Sequence, residues 1–137
     1  MGHGKLQENL KIQTCIYPQD IDTADVTSTY YDMALFGRIA FRAFVKSLPT
    51  TKILTLTLKE ATNSAGAGAQ TLGTAVTGTA TGSPTEDLEA LIEARAEDLS
   101  DGYTHIGVVI GTNNGSSLTG GAVALLGDAR QKPVSNA

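Results

Sequence analysis

Residues 37–59, GRIAFRAFVKSLPTTKILTLTLK, decide the fold of this chain. In each half of the stretch, apolar side chains alternate with basic or hydroxyl-bearing ones, which is the period expected of a strand with one buried and one wet face. The buried face would carry Ile39, Phe41, Ala43 and Val45 from the first half and Leu54, Leu56 and Leu58 from the second. Pro49 removes a ladder donor between the halves, so the stretch predicts a β-hairpin connected through Ser47–Thr51.

Further strands are predicted on both sides of this hairpin. Lys11–Tyr17 is β-prone and is expected to stop at Pro18, and Val26–Met33 is rich in β-branched and aromatic residues. Tyr103–Gly111 and Leu118–Leu126 flank an Asn-Gly pair, a strong hairpin signal because both residues tolerate positive φ. The fold class predicted is all-β: a single-domain antiparallel β-sandwich or jelly-roll-like barrel over residues 1–137, with an extended N-terminal arm (1–10) and a C-terminal tail (128–137).

The segment from Asn63 to Ser83 is rich in glycine, alanine and threonine and reads as a long loop with one weak strand near Thr71–Val76. Its run Ala65–Thr71 lacks the third glycine of a dinucleotide fingerprint and the Gly-Lys-Ser/Thr of a phosphate loop. We therefore interpret it as a flexible loop that partly folds back as a strand and partly projects from the domain.

Residues 83–99 allow two interpretations. Ser83, Pro84 and Glu86 resemble a helix start with a capping box, and apolar residues recur at helical spacing up to Leu99. The same segment also alternates as a half-buried strand would, with Ala90, Ile92, Ala94 and Ala96 in one phase. Local propensity favours the helix.

Composition excludes several classes of function. The formal net charge is −4 and the ten basic residues are scattered, which argues against nucleic-acid binding. No apolar run approaches a membrane span, and the polar residues after Met1 do not form a signal core, so we expect a soluble chain without a membrane partner. A charged content of 18% and the absence of tryptophan give a bland surface, which is better suited to an assembly than to a freely diffusing enzyme.

Side chains that carry chemistry are few. The single cysteine, Cys15, excludes an internal disulfide, and with two histidines the chain is poor in metal ligands. Cys15 is expected to be a small buried hydrophobe, His105 a surface residue, and the Glu93 and Glu97 pair a solvated charged face. No nucleophile and base can be assembled, so we predict no enzyme activity, no catalytic residue, no cofactor and no metal.

Four short runs carry a resemblance to a known family: Asp32-Met33, TLKEATN at 57–63, RAEDL at 95–99 and DGYTH at 101–105. Over most of residues 20–134 the chain resembles small virion proteins of tailed bacteriophages, of the head decoration or capsid cement type. The resemblance implies a strand around 91–97, which reverses the local preference for a helix.

The resemblance also implies a function. The chain would be a non-enzymatic structural protein of the virion, made in the host cytoplasm, that binds the outer capsid surface and stabilises contacts between capsomers. Its partner would be the major capsid protein, with homo-oligomers forming on the capsid. A tail or connector component and a host-surface or carbohydrate-binding β module remain alternatives. Tyrosine is enriched at interface hot spots, so Tyr17, Tyr30 and Tyr31 are the predicted partner-binding residues.

Overall fold

A computed structural model describes residues 10–129 of the chain. Residues 1–9 and 130–137, which hold most of the predicted arm and tail, lie outside the described part. The strands are β1 Lys11–Asp20, β2 Val26–Thr27, β3 Tyr31–Asp32, β4 Phe36–Pro49, β5 Ile53–Ala61, β6 Gln70–Thr71, β7 Val76–Thr79, β8 Thr85–Arg95, β9 His105–Thr112 and β10 Thr119–Ala129. A 3₁₀ turn covers Ala96–Asp98.

The strands form two antiparallel sheets packed face to face, which confirms the predicted all-β sandwich. Sheet A has four strands in the order β1-β10-β4-β8. Sheet B has six: β9 and β5 are central, β2 and β3 pair with β9, and β6 and β7 pair with β5. The core between the sheets includes the seven side chains predicted from the alternation, Ile39, Phe41, Ala43, Val45, Leu54, Leu56 and Leu58.

The predicted hairpin between the two halves of 37–59 is wrong, although both halves are strands. β4 pairs with β10 and β8, whereas β5 pairs with β9, β6 and β7, so the two strands belong to opposite sheets. β4 also continues past a bulge between Val45 and Leu48 to end at Pro49, which leaves only 50–52 as the connection. The backbone of that connection bonds to the loop before β8: Thr50 N–H donates to the Pro84 carbonyl and Thr51 N–H to the Ala80 carbonyl. The connection is an arch from one sheet to the other.

The predicted hairpin at the Asn-Gly pair is corrected in the same way. β9 lies in sheet B and β10 in sheet A, so residues 113–118 cross between the sheets. Gly115 has the positive φ (83°) that the motif predicts. Asp22 organises this crossing, since its Oδ1 accepts hydrogen bonds from Thr112 Oγ1 at 2.7 Å, Asn114 N at 2.7 Å and Gly115 N at 3.2 Å.

Pro18 does not end β1, which runs on to Asp20. The strand is at the edge of sheet A, where a proline can stand because its missing donor can point away from the ladder. A register shift between Ile16 and Gln19 accommodates it. The predicted strand Val26–Met33 is reduced to the two short strands β2 and β3, which Ser28–Tyr30 separates.

Residues 85–95 form a strand, as the resemblance implies for 91–95, whereas 96 and 97 lie in the 3₁₀ turn and not in the strand. Its inward residues face the core, with Ile92 paired to Phe41 and Ala94 to Ile39 across β4. Glu86, which the helical interpretation placed in a capping box, instead binds the loop before β8. Its carboxylate accepts hydrogen bonds from the N–H groups of Thr81 and Gly82 at 2.8 and 3.2 Å, and these bonds lower its pKa. The loop before β8 partly folds back, as expected, but not as the one strand predicted near Thr71–Val76: it contributes the two short strands β6 and β7, and residues 72–75 between them belong to neither.

Candidate interaction surface

The candidate surface is the outer face of sheet A, the side of its four strands that points away from the core. Because side chains alternate along each strand, the residues that alternate with the buried positions 39, 41, 43 and 45 of β4 point outward. Cross-strand pairing aligns the outward residues into rows that span the four strands. Two such rows are Thr14, Val123, Arg42 and Leu91, and Ile12, Leu125, Ala40 and Glu93.

Large apolar side chains are exposed mainly at the two edges of this face. Ile12 and Tyr17 on β1 are 51% and 72% exposed, and Leu91 on β8 is 55% exposed. A fourth, Leu35 at 58%, lies away from the face, in the turn before β4. Between the edges the apolar character continues through the half-buried side chains of Ala40, Val123 and Leu125. Exposed apolar side chains that share one face of a sheet are a feature of interaction sites.

Three ion pairs lie on the outer face. Arg42 pairs with Glu89, Arg38 Nε lies 2.8 Å from Asp128 Oδ2, and Lys46 Nζ lies 3.8 Å from Asp87 Oδ2. Exposed pairs such as these each contribute only about 0–1 kcal/mol to stability. Their main effect is to cancel the charges of the paired residues.

The three predicted partner-binding tyrosines are not brought together. Tyr17 is the exposed one, on the edge strand of sheet A. The ring of Tyr31 lies 6.2 Å from that of Phe41, its hydroxyl is buried without a hydrogen-bond partner among the described residues, and burial raises its pKa. The ring of Tyr30 is wedged between Gly66 and Gly107, and burial raises its pKa as well. Partner binding by all three tyrosines stays a prediction. Of the three, Tyr17 has the exposed side chain that contact with a partner requires.

Sequence reasoning missed Leu91 as a surface residue. The signal was present, because Leu91 is the apolar residue in the polar phase of β8, between Ala90 and Ile92. Under the helical interpretation it belonged to the buried stripe. Only the strand assignment turns it outward.

The residues considered for chemistry are scattered. Cys15 is half-buried against the core, and burial raises the pKa of its thiol to about 12, so it is protonated at neutral pH. His105 Nδ1 lies 2.7 Å from Thr104 Oγ1, while Glu93 and Glu97 are exposed. Within residues 10–129, no three His, Cys, Asp or Glu side chains are grouped as metal ligands would be. Across the same residues, no helix has the length and apolarity to cross a membrane.

No protein-family model matches the sequence, and no curated protein matches it. Solved structures that superpose on this chain include one of infectious bursal disease virus, Gx strain, at a TM-score of 0.49 and 14% identity over 90% of this chain and 34% of that one. Another is the CBM22-1-GH10 portion of a Clostridium thermocellum xylanase with xylohexaose (TM-score 0.48, 12% identity, covering 96% of this chain and 29% of that one). A third is CBM28, a carbohydrate-binding module specific for non-crystalline cellulose (TM-score 0.46, 9% identity, covering 85% of this chain and 73% of that one). This chain spans about a third of the viral chain, and likenesses at these scores do not bear on function.

Proposed function

We propose that this chain is a non-enzymatic structural protein of a phage virion that binds the outer surface of the assembled capsid through the outer face of sheet A. The observation that carries the proposal is the placement of exposed apolar side chains on both edge strands of that sheet, Ile12 and Tyr17 on one and Leu91 on the other. The occupant of the face follows from the resemblance to decoration proteins, whose partner is the major capsid protein.

The proposed mechanism is thermodynamic linkage. A protein that binds assembled capsomers more tightly than separated ones stabilises the shell by that difference in binding free energy. Each copy adds its own contribution, so modest affinity at many sites suffices. A rigid sandwich loses little conformational entropy when it docks, which favours this use of the fold.

The character of the face supports a protein partner over the alternatives. Within each ion pair of this face the two charges cancel. The face therefore suits docking on a protein surface of low charge more than attraction to the phosphates of a nucleic acid. A carbohydrate module usually stacks sugars on exposed rings, and Tyr17 is the exposed ring among residues 10–129. No specific observation favours the carbohydrate alternative.

Co-sedimentation with empty capsids of the cognate major capsid protein tests the proposal. Leu91→Gln removes an apolar contact from the centre of the β8 edge, and we expect it to weaken capsid binding about tenfold, the effect of losing about 1.4 kcal/mol. Leu35→Gln is the matched control, since the exposure is similar (58% against 55%) but the position is off the face. Equal binding by the two variants would remove the outer face from the interface, and no binding by the unaltered chain would refute the function.

A further inference from the structure

The strand β8 forms a long, regular edge of sheet A. It pairs with β4 on one side, and within residues 10–129 no strand pairs with its other side. The opposite edge of the sheet, β1, is interrupted by Pro18 and two register shifts, whereas β8 has no proline and the bulge in its pairing lies in β4. Proteins usually shield an edge of this length, because its free backbone groups can pair with another strand.

The free backbone groups of β8 belong to the residues whose side chains point outward. Arg95 N–H donates to Asp98 Oδ2 at 2.8 Å, so it is directed away from β4. Along an antiparallel strand, every second residue directs its N–H and C=O to the same side. The residues of β8 that share the orientation of Arg95 are Asp87, Glu89, Leu91 and Glu93. A strand laid along this edge can therefore extend sheet A without disturbing β4.

We propose that β8 pairs with β8 of a second copy of this chain, antiparallel about a two-fold axis at Leu91. In this register Leu91, which is 55% exposed, faces Leu91 of the second copy. On each side of the axis, Asp87 of one copy faces Arg95 of the other, which places opposite charges across the strands. Sliding the second strand by two residues in either direction would set Leu91 against Glu89 or Glu93, so the side chains select this register.

The inward side of the added strand would lie over open space. Beside β8, a cleft of about 380 Å³ is lined by Ile92 and Ala94 of the strand and reaches down to Leu58 and Leu72. The register sets Leu88 of the second copy opposite Ala94, at the mouth of this cleft. Its apolar side chain would cover part of the apolar floor, which favours association.

This pairing also joins the outer faces of the two copies. Side chains directly opposite each other across a ladder point to the same face, so the outward residues of both copies lie on one side of a continuous sheet. The two faces proposed above to bind the capsid would then act together. The pairing itself does not depend on capsid binding.

One contact in this register is unfavourable. Glu89 lies opposite Glu93 of the second copy, and like charges directly opposite each other weaken a strand pair. Glu89 binds Arg42, whereas Glu93 forms no ion pair within residues 10–129. Replacing Glu93 with a cation should therefore strengthen the dimer, a consequence that follows from this register.

Sedimentation equilibrium without capsids tests the dimer. We expect the unaltered chain to shift from monomer to dimer as its concentration rises, and Glu93→Lys to lower the dimer Kd about tenfold by converting repulsion into attraction on both sides of the axis. Asp101→Lys is the matched control, since it changes the net charge equally at an exposed position outside β8. A chain that stays monomeric at about 1 mM, or equal effects of the two lysine variants, would overturn the proposal.

Disulfide trapping tests the register. In a Cys15→Ala background, Leu91→Cys should form an intermolecular disulfide on air oxidation, because the Cα atoms of a hydrogen-bonded pair lie about 5.5 Å apart. Glu93→Cys is the control, since its two copies would lie about 15 Å apart and should stay reduced. Equal trapping at the two positions would report random collision and overturn the proposal. Neither measurement involves capsids, so failure of the dimer and failure of the proposed function are distinguishable.

Discussion

Glu60 Oε1 accepts a hydrogen bond from the backbone N–H of Ser100 at 2.8 Å, across forty positions of sequence. Its other oxygen accepts from Gln70 Nε2 at 2.6 Å. The side chain is only 1% exposed, so one buried carboxylate joins β5, β6 and the loop after the 3₁₀ turn. Burial by itself raises the pKa of Glu60, but these hydrogen bonds more than offset it and the pKa is lowered.

Glu60→Gln should destabilise the protein by about 1–3 kcal/mol at neutral pH, because the amide presents a donor where both neighbours are donors. Since the pKa is lowered on folding, the ionised carboxylate stabilises the protein above its ordinary value of 4.5 and loses that effect as the pH falls through the folded value. The unaltered chain should thus lose stability more steeply than the variant below about pH 4.5. Denaturant unfolding at neutral and acid pH measures both effects.

Glu97→Gln is the control, since the Glu97 side chain is 72% exposed. It should leave both the stability and its pH dependence nearly unchanged. If Glu60→Gln showed the same pH slope as the unaltered chain, the network around Glu60 would not be the origin of its lowered pKa.

The ring of Tyr30 holds the glycine-rich loop against sheet B. A Cβ at Gly66 would lie 2.8 Å from Tyr30 Cε2, and the backbone there has a φ of 85°. Gly66→Ala should therefore cost about 1–2 kcal/mol for the left-handed backbone and about 1–3 kcal/mol more for the displaced ring. Chemical denaturation measures the sum, and limited proteolysis between residues 62 and 69 reports release of the loop.

Gly73→Ala separates these two costs. Gly73 also has a positive φ (71°), but a Cβ there meets nothing within 4 Å, so only the backbone cost of about 1–2 kcal/mol applies. In addition, Tyr30→Leu should relieve part of the Gly66→Ala penalty, because the flexible side chain can move aside. Equal destabilisation by the two alanine variants would show that Tyr30 does not pack on Gly66 in solution.

Strand positions could be predicted from the sequence, but strand pairing could not. Alternation at 39–45, 54–58 and 106–110 reports which side chains are buried, and all three runs are core strands. A hairpin and an arch bury the same alternate residues. In a hairpin the two apolar faces lie side by side, and in an arch they face each other across the core. The bonds that choose the arch here, from Thr50 and Thr51 to the loop before β8, join residues that sequence patterns do not connect.

The candidate surface was harder to predict than the core. Tyr17 follows the buried Ile16 and is exposed, as an alternating strand requires. Tyr30 and Tyr31 are adjacent and β-prone, but the positions of their rings are set by tertiary contacts. The ring of Tyr30 packs on Gly66 and that of Tyr31 lies beside Phe41, and sequence patterns do not connect these residues. The role of Leu91 depended on a strand assignment that local helix propensity opposed, so the face could be located only once the sheet was known.

Variants at Leu56 and Leu91 distinguish a residue that stabilises the fold from a residue of the proposed capsid-binding face. Leu56 is fully buried in β5, paired with Ile110 and Val76, so Leu56→Ala should lower the free energy of unfolding by about 2–5 kcal/mol. Leu91→Ala, at 55% exposure, should change it by no more than about 0.5 kcal/mol. Under conditions in which both variants are folded, capsid co-sedimentation should be weakened by Leu91→Ala and unaffected by Leu56→Ala. The opposite result, in which Leu56→Ala loses capsid binding with its stability intact, would place β5 in the interface and make sheet B the docking surface.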